Sequence, residues 1–186
     1  MVANPTLAKV APISLKNAIE GSEIIVRGKV IKVIECYQDF DRGNIKIAEL
    51  EVTQIIKGNP HLKRLHFWAS PSWACDISNA YDGETLVLLL VQNKERLSAD
   101  KQFFKNSVEE LLRQYMNDRP LYDMVNYGGG RMIITNNHIT LNTHLNYPEE
   151  IYATARRPTE FSDSMVNKNL IMTYLKKQVS SLNKRS

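Results

Sequence analysis

The fold of this protein is decided by one long run of sequence, EIIVRGKVIKVIECY, at residues 23–37. Alternate residues of the run form a set that is apolar or small with one exception: Ile24, Val26, Gly28, Val30, Lys32 and Ile34. This period of two predicts a β-strand with one buried face. Gly28, in the middle, predicts a bulge or sharp bend, a device by which small β-barrels turn a strand around a corner.

Further strands follow the long run at short intervals. A polar loop at residues 38–44 predicts a hairpin to the second strand, and Lys57-Gly58-Asn59-Pro60 ends that strand with turn-forming residues. Asn136-Asn137 predicts a tight hairpin near the end of the series. The predicted strands after the first cover residues 45–56, 62–69, 85–92, 131–135 and 138–141. The fourth strand, 85–92, has almost no polar break, which predicts burial on both faces.

Helical spacing predicts three helices. A short one at residues 15–20 has Ser14 as its N-cap, a second lies near 105–118, and the last covers 164–181. The last helix carries an apolar stripe of Met165, Leu170, Ile171, Tyr174, Leu175 and Val179. This stripe predicts packing on the barrel, and a helix that binds a partner is the alternative interpretation.

Together these elements predict a mainly β protein, an OB-like five-stranded barrel with an inserted helix and a C-terminal helix. We expect residues 1–13 to be an irregular lead-in. We expect residues 14–145 to form the barrel with its helical insertion near 105–118, and residues 146–186 to supply a linker and the C-terminal amphipathic helix that packs on the barrel.

Composition and charge limit the classes of function. The longest apolar run, residues 86–91, is far shorter than the roughly 20 residues of a membrane-spanning helix. Residues 1–92 hold ten basic and ten acidic residues, so the net charge of +4 comes from the second half. Its C-terminal end, with Lys176, Lys177, Lys184 and Arg185, could contact nucleic acid or an acidic membrane, or complement the dipole of the last helix.

Four short motifs occur in the order found in a known family. They are Ser22 to Val30, Ile55-Ile56-Lys57-Gly58, Phe67 to Cys75, and Gly83 to Leu90. In this order they resemble the opening strand, the aliphatic-Lys-Gly strand end, the third-strand exit and the fourth strand of the TIMP-like (netrin-module) OB-fold family. The resemblance covers about residues 14–92, and the chain is most similar to bacterial members of the family whose role is unassigned.

The resemblance implies a non-enzymatic protein-binding module, related to protease inhibitors, whose contact segment is Trp73, Ala74 and Cys75. The inhibitors of the family begin with Cys-x-Cys and chelate the catalytic zinc of a metalloproteinase. Here the first cysteine is Cys36, within a strand, so we expect no zinc-chelating N-terminus. Trp73 could instead plug the end of the barrel.

Cys36 and Cys75 are the only cysteines, and they form either one disulfide or two free thiols. No signal peptide is visible at the N-terminus. If one preceded this sequence and was removed, we expect an extracellular or periplasmic protein, and otherwise a cytoplasmic one.

The search for catalytic and metal-binding motifs is negative. His61, His66, His138 and His144 form no His-Glu-x-x-His or Cys/His pattern, and no nucleophile motif is present. Gly128-Gly129-Gly130-Arg131 is followed by a strand rather than a helix, which favours a flexible strand entry over a phosphate loop. We therefore predict no catalytic residue, no metal and no cofactor.

The alternative function is binding of single-stranded nucleic acid, because OB barrels often combine basic residues and stacking aromatics on strands two and three. The candidate face comprises Lys46, Lys63, Arg64, His66 and Trp68, with Phe67 between them. Glu49 and Glu51 lie on the same strand pair, which also fits an ordinary amphipathic pair of strands.

Overall fold

A computed structural model describes residues 11–39, 43–70, 77–92, 119–126, 128–156 and 164–184. The predicted helical insertion near 105–118 lies outside these residues. The described elements, in chain order, are β1 Ile13–Ser14, α1 Leu15–Gly21, β2 Ile24–Asp39, β3 Gly43–Lys57, β4 Arg64–Trp68, β5 Thr85–Gln92, β6 Leu121–Met124, β7 Arg131–Thr135, β8 His138–Thr140, β9 Leu145–Asn146, α2 Glu149–Tyr152, β10 Met165–Asn167 and α3 Lys168–Leu182.

Five strands close into a barrel. β2, β3 and β4 form an antiparallel meander, β4 pairs in parallel with β6, and β6 and β2 both pair antiparallel with β5. The ring therefore runs β2–β3–β4–β6–β5 and back to β2. The predicted mainly β, OB-like five-stranded barrel with a C-terminal helix is confirmed.

The strand that closes the barrel differs from the one the sequence predicts. Residues 131–135 do form a strand, β7, but the fifth strand of the ring is β6. One edge of β5 is shared between two strands, since Leu90–Gln92 pairs with β6 and Leu86–Leu88 pairs with β7. β6 has only four residues, three of them buried, which is too short to produce a detectable alternation.

The barrel has an apolar interior and a second apolar layer outside it. In β5, Leu86, Leu88 and Leu90 point inward and join side chains from the other four barrel strands, whereas Val87 and Leu89 point outward. The outer layer includes Leu15 and Ile19 of α1 and Ile171, Leu175 and Val179 of α3. β5 is therefore buried on both faces, as its apolar run predicts.

Gly28 lies where β2 bends. The register between β2 and β3 shifts between Arg27 and Gly28, which confirms the predicted bulge. A Cβ atom at this position would overlap the carbonyl oxygen of Glu51 and lie 2.7 Å from side-chain carbons of Leu50. The close approach of β3, rather than an unusual φ, requires glycine here.

The ends of the helices follow from their caps. The Ser14 side chain accepts a hydrogen bond from Asn17 N at 3.0 Å, as predicted for the first helix. α3 begins at Lys168 rather than near 164, because the Asn167 side chain caps it by accepting from Asn169 N. Residues 165–167 instead pair with β8, and Val166 is buried there.

The described helices include none with the length and apolar character needed to cross a membrane.

Candidate functional site

The outer surface of β2, β3 and β4 carries alternating charges in register. Lys29, Glu51 and Arg64 lie in one row across the three strands, and Lys32, Glu49 and His66 lie in the next. We call these six residues the polar face. Residues directly opposite each other share a face of a sheet, so each carboxylate of β3 lies between basic side chains.

Ion pairs neutralise part of the predicted nucleic-acid face. Arg64 Nη1 lies 3.4 Å from Glu49 Oε1. Lys46 Nζ lies 2.9 Å from Glu35 Oε1, while Lys63 is exposed. A phosphate backbone is held by uncompensated positive charge, and these carboxylates reduce it.

His66 is buried in spite of its outward orientation, with an exposed fraction of 3%. Burial lowers the pKa of His66, Glu49 opposes this effect, and Arg119 adds to it. Its Nδ1 atom has no hydrogen-bond partner among the residues that the structure describes. The imidazole is therefore neutral near pH 7 and adds no positive charge to the polar face.

The aromatic side chains of β4 are also buried. Phe67 points into the barrel, and Trp68, which is 5% exposed, donates a hydrogen bond from Nε1 to the carbonyl of Ser70 at 2.7 Å. Neither ring offers a face on which a base could stack. Tyr81, 62% exposed, lies elsewhere, in the turn before β5.

Trp73, Ala74 and Cys75, the predicted contact segment, lie outside the described residues. The chain on each side of them is anchored: Ser70 Oγ accepts a hydrogen bond from Lys46 N, and Ser78 is buried. The backbone of Cys36 lies in β2, but its side chain is outside the described part of the chain. Both alternatives for Cys36 and Cys75, one disulfide or two free thiols, therefore lie outside what the described residues test.

The glycine-rich segment before β7 is a tight turn. Gly128 has a φ of +86°. Gly129 N and Gly130 N donate to the carbonyls of Asn126 and Val125 at 3.0 and 2.8 Å. These amides already have partners, so they do not form a phosphate-binding loop.

Titratable side chains do not converge on a metal site in the described ranges, where no three His, Cys, Asp or Glu residues are grouped.

An open strand edge is the feature that the sequence analysis did not identify. β4 pairs with β3 only from Ile47 to Glu51, and Val52 N then donates to Lys63 O at 2.8 Å. Beyond this bond, residues 53–57 pair with β2 on one side and with no described strand on the other. We call residues 53–57 the open edge. The available signal was the predicted second strand, which is four residues longer than the third.

A groove of about 670 Å³ runs along the open edge. One wall is formed by β3 and the turn that follows it, including Pro60 and Leu62. The other wall is formed by Val179 and Asn183 of α3. The groove therefore places apolar side chains next to unpaired strand backbone.

Lys57 joins the open edge to α1. Its Nζ atom donates to the carbonyls of Ile19 at 2.9 Å and Glu20 at 3.2 Å, at the end of the helix. Burial lowers the pKa of Lys57, and Glu20 opposes this effect. The Lys-Gly motif noted in the sequence thus holds α1 against the barrel and forms part of the groove.

Comparison with family models and with curated proteins gave no match.

Proposed function

We propose that this protein is a non-enzymatic protein-binding module of the TIMP-like class, and that it binds an extended segment of its partner by strand addition at the open edge. The single observation that carries the proposal is the end of β4 pairing at Glu51, while β3 continues to Lys57. Unpaired strand backbone is a template for pairing with another chain. Five residues of strand give about 17 Å of edge.

The groove supports a peptide as the ligand. Strand addition obtains affinity from main-chain hydrogen bonds and specificity from pockets for alternate side chains. The groove supplies such a pocket between β3 and the last turns of α3. The polar face gives less support to nucleic acid as the ligand, because its two carboxylates offset two of its three positive charges.

A random library of linear dodecapeptides, displayed on phage and panned on the purified chain, tests the proposal. We expect selected peptides to slow amide hydrogen exchange at residues 53–57. Protection confined to β4 instead, or no peptide above background, would contradict strand addition.

A charge placed at the open edge tests the location. Thr53 is exposed, and Thr53→Asp is expected to weaken binding of the selected peptides at least about fivefold, because a charge blocks strand pairing. Thr173 is an exposed threonine on α3, and Thr173→Asp serves as the matched control with unchanged binding. Equal effects of the two variants would place the site elsewhere.

The TIMP-like part of the proposal assigns a second contact to Trp73, Ala74 and Cys75. The selected peptide sequences can be used to identify a protein partner that contains a similar segment. We expect Trp73→Ala to weaken the binding of this partner, and the thermal stability of the variant serves as the control for folding. If the affinity for this partner is unchanged, the segment is not a contact.

A further inference from the structure

The described side chains that line the groove include a cation and no carboxylate. Among the side chains that line it, Lys57 is the only charged one. An ammonium group has three N–H donors, and two of those of Lys57 go to α1 carbonyls. The third makes no hydrogen bond with the described residues, and the Glu20 carboxylate acts on the ammonium electrostatically. A partly desolvated ammonium of this kind is stabilised by a carboxylate that enters the groove.

Two further exposed lysines, Lys63 and Lys176, lie close in the chain to residues that line the groove. Lys63 follows Leu62, which lines it, and its side chain is exposed. On α3, Lys176 precedes Val179 by three residues and Asn183 by seven, so the three lie on one side of the helix. Residues 168–184 include four lysines and no acidic residue. The positive charge along this wall is therefore uncompensated within its own helix.

The apolar lining specifies the other half of the ligand. Ile55, Ile56, Leu62 and Val179 line the groove together with Lys57. Successive side chains of an extended segment point in opposite directions. One set can pack on the apolar lining while the other reaches the ammonium groups.

We infer that the partner segment bound at the open edge is acidic, with apolar and carboxylate side chains in alternation. This inference rests on the proposed strand addition. Charge complementarity selects this partner: Lys57 lines the groove, Lys63 and Lys176 are close in the chain to lining residues, and the described lining holds no carboxylate.

The dodecapeptide library provides the first test. We expect the selected sequences to be enriched in Asp and Glu relative to the starting library. We also expect binding to weaken as NaCl rises from about 50 mM to about 300 mM, because salt screens exposed charges. Replacement of the selected acidic residues by lysine is expected to abolish binding.

Charge-reversal variants provide the second test, with a matched control on the same helix. Lys176→Glu is expected to weaken binding of the acidic peptide by about fivefold, the size of one favourable surface charge interaction. Lys177 is also exposed, but it lies two residues from Val179, about 200° around the helix. Lys177→Glu is therefore expected to leave the affinity unchanged.

The outcomes separate this inference from the proposed function. Selection of neutral or basic peptides that still protect residues 53–57, or equal effects of Lys176→Glu and Lys177→Glu, would overturn the acidic partner and leave strand addition standing. Failure to select any peptide would remove strand addition itself. If a twelve-residue oligo-dT binds at the groove as tightly as the acidic peptide, the ligand is nucleic acid and both proposals are wrong.

Discussion

Arg131 and Glu84 form an ion pair that joins β7 to the turn before β5. Arg131 Nη2 lies 2.7 Å from Oε1 and 2.8 Å from Oε2 of the carboxylate. Both side chains are largely buried, with exposed fractions of 12% and 18%. The same carboxylate accepts a hydrogen bond from Tyr81 N, so it organises the turn as well as the strand.

Removal of one member of this ion pair should lower the stability of the folded protein. We expect Glu84→Gln to lower the free energy of unfolding by about 2 kcal/mol, because the Arg131 charge then stays buried without its partner. Urea denaturation measures the change. The exposed pair of Lys16 and Glu20, 3.9 Å apart, is the control, and Glu20→Gln should cost less than about 0.5 kcal/mol. Equal costs would show that the burial of the first pair is energetically unimportant.

A methyl group at the bend of β2 should disrupt the barrel. Gly28→Ala is expected to lower the free energy of unfolding by about 3 kcal/mol, because the new Cβ overlaps the Glu51 carbonyl and Leu50. For Gly21, at the end of α1, no atom of the described residues lies within 4 Å of a Cβ at its position. Gly21→Ala should therefore be close to neutral. Similar thermal stability of the two variants would contradict the close approach of β3.

The contact of Lys57 with α1 should contribute to stability. We expect Lys57→Met to lower the free energy of unfolding by about 1–2 kcal/mol, since two helix carbonyls lose a charged donor. Lys63→Met, at an exposed lysine, should change it by less than about 0.5 kcal/mol. Chemical denaturation of both variants at one pH measures the difference, and no difference would mean that water replaces the Lys57 donor without loss.

His66 should make the protein less stable in mild acid. Burial lowers the pKa of His66 in the folded state, with opposition from Glu49. Below the ordinary pKa of about 6.5, the unfolded chain binds a proton that the folded chain does not. Stability is therefore lost as the pH falls from 6.5 towards the lower folded pKa, with a slope of at most about 1.4 kcal/mol per pH unit.

Denaturation at several pH values between about 7 and 5 tests this effect. We expect His66→Gln to flatten the dependence of the free energy of unfolding on pH. His61 is an exposed histidine, and His61→Gln should retain the slope of the unmodified protein. An unchanged slope in His66→Gln would assign the acid sensitivity to other groups.

Much of the barrel could be predicted because the relevant signals are local. The alternation around Gly28 and the apolar run of β5 identify strands from their own residues. Ser14 marks the start of α1 in the same way. The candidate binding residues were less predictable: Trp68 and His66 have the residue types of a nucleic-acid face, yet both are buried.

The sequence by itself determined the long strands, the presence of α1 and α3 and which faces of those strands are apolar, since periodicity and caps depend on neighbours along the chain. The tertiary structure alone decided that Leu121–Met124 closes the barrel, that Glu49 and Glu51 lie between basic residues, and that residues 53–57 form an open edge. These features depend on hydrogen-bond register between distant strands. Where one strand extends beyond the end of its neighbour, its edge is left unpaired. This edge depends on how the two strands pair and is encoded in neither strand alone.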